Sequence, residues 1–183
     1  ADAEAGARSQ GDTQSRESPL NGTLRSLINS RLAFRLLIAI PAIVMLSQYV
    51  LSGGGLGQVL QSSGEWAARM LILTLAVTPL RMLFKGRHWP MWLFKRRRDL
   101  GVAAFLYALL HLGSYVARQS SLNVILYDMT FIEYLPGWLG FAAMAILFVI
   151  SNDLALHRLS TAWKKIQRLI YAAAVLALLH WLW

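Results

Sequence analysis

Apolar side chains run in five long blocks, near residues 32–51, 66–84, 100–118, 136–154 and 166–183, separated by shorter polar stretches. Crossing a hydrocarbon core takes about 20 helical residues, and each block approaches that length. Backbone in lipid must satisfy its own hydrogen bonds, so the pattern predicts an all-α fold: an integral membrane helical bundle of about five transmembrane helices. Pro41 and Pro79 fall inside the first two blocks and predict kinks there. Residues 121–135 mix Leu122, Val124, Ile125, Leu126, Met129, Phe131 and Ile132 with Asp128 and Glu133. They are too short to span and read as an interfacial segment.

The segments between the blocks are polar. Residues 1–30 are rich in Ala, Gly, Ser, Arg and acidic side chains and lack the apolar surface to fold alone. They form a polar cytoplasmic tail, 1–30, ahead of a transmembrane domain, 31–183, and carry no pattern of an intact signal peptide. Their acids Asp2, Glu4, Asp12 and Glu17 outnumber Arg8, Arg16 and Arg25, so an anionic leaflet attracts them little. The expected partner of the tail is another protein on the cytoplasmic face. Residues 52–64 open with Ser52-Gly53-Gly54-Gly55-Leu56-Gly57 and read as a glycine-rich loop. It lacks the Gly-Lys-Ser/Thr ending of a phosphate-binding loop.

Composition agrees with the pattern: 56% of the 183 residues are hydrophobic and 15% charged. The net charge of +9 lies between the apolar blocks and not on a polar domain, which excludes nucleic acid as the partner. Arg25, Arg31 and Arg35 precede the first block. Arg81, Lys85, Arg87 and Lys95 to Arg98 separate the second from the third; Arg158, Lys164, Lys165 and Arg168 precede the fifth. Arg69 and Arg118 alone border the other side. The positive-inside rule then sets a multi-pass chain in a bacterial inner membrane, amino terminus cytoplasmic and carboxyl terminus periplasmic. The same basic residues serve topology and contact with anionic membrane lipid. The Asn21-Gly22-Thr23 sequon falls on the cytoplasmic side and should carry no glycan.

With no cysteine, the chain has no disulfide, thiolate metal site, iron–sulfur cluster or thioether-bound haem. His88 and His157 lie among basic loop residues and read as surface side chains. His111 and His180 are each set inside an apolar run, where an imidazole is costly without a partner. His111 is twelve residues past Asp99 and His180 twelve past Arg168, so both lie about 18 Å from the same border on parallel helices. Equal depth is what two axial ligands of one haem iron require. It is equally met by two unrelated histidines, each hydrogen-bonded to a neighbouring helix. Arg69 comes to the same side, either as a cation for haem propionates or snorkelling to the outer headgroups. No carboxylate pair in a span and no nucleophile–base arrangement points to hydrolysis or group transfer.

Several segments together resemble the ferric reductase-like transmembrane family. They are Gly64-Glu65-Trp66-Ala67, Thr74-Leu75-Ala76-Val77-Thr78-Pro79-Leu80-Arg81, Arg97-Arg98-Asp99-Leu100-Gly101 and Phe105-Leu106-Tyr107-Ala108-Leu109-Leu110-His111-Leu112. The likeness continues through Ser114-Tyr115, Gly140, Ser151 and the run from Trp163 to Tyr171, and on to His180 and Trp183. It is strongest toward the branch of haem-binding membrane subunits that serve periplasmic methionine sulfoxide reductases. The resemblance implies b-type haem bound by histidines of the third and fifth helices, and His111 and His180 match those positions. It also implies electrons arriving from a cytoplasmic flavin reductase or quinol and leaving to a periplasmic redox enzyme. No residue here supports a flavin or quinone site in this chain. Where the family carries a further histidine this chain has Gln167, and an amide does not ordinarily ligate haem iron. One bis-histidine haem b is expected, in a redox subunit with no catalytic site of its own. The family's sixth helix has no counterpart before Trp183. The alternative is an accessory structural subunit of a larger membrane complex, with or without haem; a haem-free transporter ranks third, for lack of charged pairs within the spans.

Overall fold

The computed structural model describes residues 30–51, 53–152, 158 and 162–182. Residues 1–29 of the tail, and His157, lie outside the described residues. The chain divides into two compact units, 1–37 and 38–183. In the first, Ser30 caps the start of helix α1 (Arg31–Leu51), its Oγ accepting from the Ala33 N–H at 3.4 Å.

The second unit is built from the rest of α1 and six further helices: α2 (Leu56–Leu83), α3 (His88–Phe94), α4 (Arg97–Arg118), α5 (Leu122–Asp128), α6 (Leu135–Val149) and α7 (Leu169–Leu182). Among the described residues there is no strand. Four helices are long and apolar enough to cross a membrane, α7 being counted with the turns before it as Ala162–Leu182. The fourth apolar block forms α6, which at 15 residues is about 22 Å long and shorter than a full span. The all-α membrane bundle expected from the apolar blocks is therefore the observed fold.

Two tight helix pairs make the bundle. α2 lies along α4, α6 lies along α7, and α4 with α6 and α7 with α2 join the pairs. Small side chains set the approach: Ser63, Ala67 and Thr74 of α2 and Ala103, Ala104 and Ala108 of α4 are all buried. In α6 and α7, Gly140 and Ala143 pack against Ala173, and a Cβ at Gly140 would lie 3.4 Å from the Cβ of Leu176. Without a hydrophobic force between helices in lipid, such close backbone contact is what holds them together. Hydroxyls inside the bundle return to their own helix: Thr74 Oγ1 donates to the Met70 carbonyl at 2.7 Å and Ser114 Oγ to Leu110 at 2.8 Å. Large apolar side chains such as Ile72, Leu106 and Trp181 point outward, as a lipid-facing surface requires.

α2 begins ten residues before the apolar block near 66–84, so the glycine-rich loop predicted over 52–64 shrinks to the residues just before Leu56. Gln58, Gln61, Ser62, Ser63 and Glu65 break the hydropathy pattern but not the helix. Val59 and Ser63 are buried there, and Ser63 Oγ donates to the Leu60 carbonyl at 3.0 Å. This polar first third of α2 supplies part of the functional site.

Pro41 removes one N–H from α1. Beside it the Tyr107 hydroxyl of α4 donates to the Ile38 carbonyl at 2.8 Å and accepts from the Ala42 N–H at 3.1 Å. One side-chain oxygen thus stands between the two ends of a single helical hydrogen bond. The segment between α4 and α6 is tethered as well: Tyr115 donates to the Asp128 carboxylate, which also accepts from Gln119 Nε2 at 3.4 Å.

Candidate functional site

His111 on α4 and His180 on α7 come together. Their ring centroids are 6.2 Å apart and their planes 81° from one another. Both line a cavity of about 430 Å³ walled mainly by apolar and small residues, among them Ala67, Ala108, Gly137, Gly140, Phe141 and Ala177. Gln61, Glu65, Tyr115 and Tyr134 add polar groups to its wall. The equal depth read from the sequence becomes a direct juxtaposition.

The imidazoles are held differently. His111 Nδ1 lies 2.8 Å from the Leu60 carbonyl of α2. A carbonyl can only accept, so Nδ1 carries the proton and Nε2 keeps the lone pair of the neutral ring. His180 Nδ1 is buried and has no hydrogen-bond partner among the described residues. Each ring also rests on a glycine of a neighbouring helix. A Cβ at Gly64 would meet His111 Nδ1 at 2.8 Å, and one at Gly137 would meet His180 Cε1 and Nδ1 at 2.9 Å. Either side chain would displace its imidazole.

Arg69 stands midway along α2 and outside the cavity lining. Its Nη2 donates to Glu65 Oε2 at 2.8 Å, and its guanidinium lies 4.9 Å from the centre of the Trp66 ring. The pair is partly exposed, so its own contribution to stability is small. Its effect at the site is to place a cation beside Glu65, whose side chain lines the cavity. His88 is exposed, as its loop position predicts.

Gln167 lies elsewhere. It lines a second cavity of about 320 Å³ with Lys95, Arg97, Arg98 and Trp163, and no histidine borders that space. Leu71 and Met144 belong to the walls of both cavities. Among the described residues no three His, Asp or Glu side chains converge, so a bare ion finds only the two imidazoles.

The sequence reading missed Leu60, Gly64 and Gly137 as parts of the site. A carbonyl leaves no mark in a sequence. The glycines do leave one, because a glycine within a helix costs about 1 kcal/mol relative to alanine and its presence signals close approach.

The model of the family described as ferric reductase like transmembrane component matches residues 63–178, which takes in Gly64, His111 and Gly137 and ends two residues before His180. Among curated proteins, the protein-methionine-sulfoxide reductase heme-binding subunit MsrQ of Rhizobium meliloti (strain 1021) is 37% identical over 122 residues. That alignment covers 64% of this chain and 53% of the relative. The protein of the same name from Brucella ovis is 34% identical over 122 residues, 65% of this chain and 53% of the relative. The chain spans about half the length of the curated relatives it matches. No solved structure matches it.

Proposed function

The chain belongs to the family of ferric reductase-like transmembrane components, and from that premise we propose that it is a membrane-embedded b-type haem subunit that passes electrons to a partner redox protein. One observation carries the reading: two imidazoles from different helices face each other with ring centroids 6.2 Å apart on an apolar cavity. With a metal–imidazole bond of about 2 Å and a ring nitrogen about 1.1 Å from its ring centre, two axial ligands of one metal have centroids about 6 Å apart. A bare ion would need further protein donors, which the described residues do not bring to the pair. A macrocycle supplies those positions itself, and small residues in the cavity wall suit its flat body. Without cysteine, attachment is non-covalent.

His111 and His180 would hold the haem. When bound, the group supplies exchange of one electron at its iron. The chain's residues do the rest. Leu60 orients His111, the apolar wall excludes water, and two imidazoles holding the group would favour electron transfer over substrate chemistry. Arg69, paired here with Glu65 beside the cavity, would offer its guanidinium to a propionate. The second cavity, bordered by Gln167 and no histidine, favours a single haem per chain. By analogy with the relatives' names, the electron acceptor is a protein-methionine-sulfoxide reductase. The density of basic residues before α1, between α2 and α4 and before α7 supports a cytoplasmic amino terminus and an acceptor on the periplasmic side.

The test is a dithionite-reduced minus oxidised spectrum of the purified chain with a pyridine haemochrome count. One low-spin b-type haem per chain is expected. A native chain that takes up no haem, or close to two, contradicts the reading.

A further inference from the structure

His111 and His180 border the same cavity but are anchored unequally. The Leu60 carbonyl takes the His111 Nδ1 proton at 2.8 Å, which fixes the tautomer, locks the ring and raises the basicity of Nε2. Gly64, one turn along α2, leaves open the space this contact needs. His180 has no such support. Its Nδ1 is buried without a hydrogen-bond partner among the described residues, and the Nδ1–Cε1–Nε2 edge of its ring lies against Gly137, which offers no side chain. No polar group among the described residues chooses its tautomer or opposes its rotation. Gly137, Gly140 and Ala177 contribute the small residues of the cavity wall on α6 and α7.

Resting on the haem reading above, we infer that the two ligands are unequal: His111 is the anchoring ligand, and His180 is an exchangeable one whose side of the iron admits a small exogenous ligand. Exchange breaks the bond from the iron to the His180 nitrogen and forms one to the incoming donor. No electron is transferred, and the released imidazole keeps its lone pair. The partnerless Nδ1 favours release, since the freed ring can turn to find a hydrogen bond that it lacks when held. Losing the supporting bond of a ligating histidine weakens metal affinity about ten- to a hundredfold, and this is the inequality expected between the two sides.

The experiment uses the full chain in detergent or nanodiscs, as the native protein and as His180→Gly and His111→Gly. Native protein should be low-spin and, when reduced, should form an adduct with carbon monoxide. His180→Gly should keep haem near native loading, turn high-spin, bind carbon monoxide readily and return to low-spin with added imidazole. His111→Gly should lose about tenfold or more of its haem under the same conditions. Equal losses from the two variants, or the reverse order, overturn the inference while leaving the haem reading in place. So does a native low-spin protein that refuses carbon monoxide at saturation, a result that needs no variant to fold. A native chain without haem overturns the underlying reading and this inference together.

Discussion

Leu60 and Gly64 stand one turn apart on α2, and the missing side chain of the second opens the carbonyl of the first to His111. The contact at 2.8 Å therefore depends on a hydrogen atom where any other residue has a Cβ. Gly64→Ala should push the imidazole off Leu60 and weaken haem retention about ten- to a hundredfold. Gly113→Ala is the control, because a Cβ at Gly113 has nothing within 4 Å and should add up to about 1 kcal/mol of helix stability. Haem titration of the two apoproteins separates them, and equal affinities would remove Gly64 from the site.

Tyr107→Phe should leave the haem spectrum intact while lowering the thermal stability of the chain in detergent. The hydroxyl bridges Ile38 and Ala42, and polar contacts between membrane helices contribute about 1 kcal/mol each. An unchanged melting temperature would mean that α1 closes its own hydrogen bond equally well without the hydroxyl.

Tyr115→Phe should loosen α5. Its hydroxyl is donated to a carboxylate, a type of bond contributing about 1.5–3 kcal/mol, so amide exchange over Leu122–Asp128 should quicken about tenfold or more. Exchange at native rates would show that Gln119 alone suffices to hold Asp128.

The orientation is open to a labelling test, since the chain has no cysteine of its own. Ser121→Cys should react with an impermeant thiol reagent on intact spheroplasts, whereas Lys85→Cys should react only after permeabilisation. Both positions are exposed. Lys85 is preferred to the adjacent Gly86, whose φ of 86° would strain any side chain. The opposite labelling pattern would invert the chain in the membrane.

Much of the fold was legible in the sequence because membrane helices are marked by length and apolarity. The pairing of His111 with His180 could be foreseen from their equal distance to charged borders. What escaped was the start of α2. Hydropathy stops near residue 66, but Val59 and Ser63 bury themselves against the bundle and the backbone stays helical through Gln58 to Glu65. That hidden third carries Leu60 and Gly64, so the reading brought the two histidines together without the groups that touch His111. The position of Arg69 along its helix was misjudged for a related reason. Placed by hydropathy near a helix end, it sits at the middle of α2, because the helix runs on beyond the apolar block.

The bridge made by Tyr107 also bears on how the chain is built. Its hydroxyl meets the Ala42 N–H across 65 positions, so the oxygen that bridges Ile38 and Ala42 in the first helix emerges from the ribosome long after that helix. At about 5–20 residues per second the delay is roughly 3–13 s. During that interval Ile38 and Ala42 must pair with one another or with water, and the bridge between them forms only when α4 arrives beside α1. Membrane insertion of the first helix and assembly of the bundle are therefore successive events, and a nascent chain stalled between them carries a helix still awaiting its keystone.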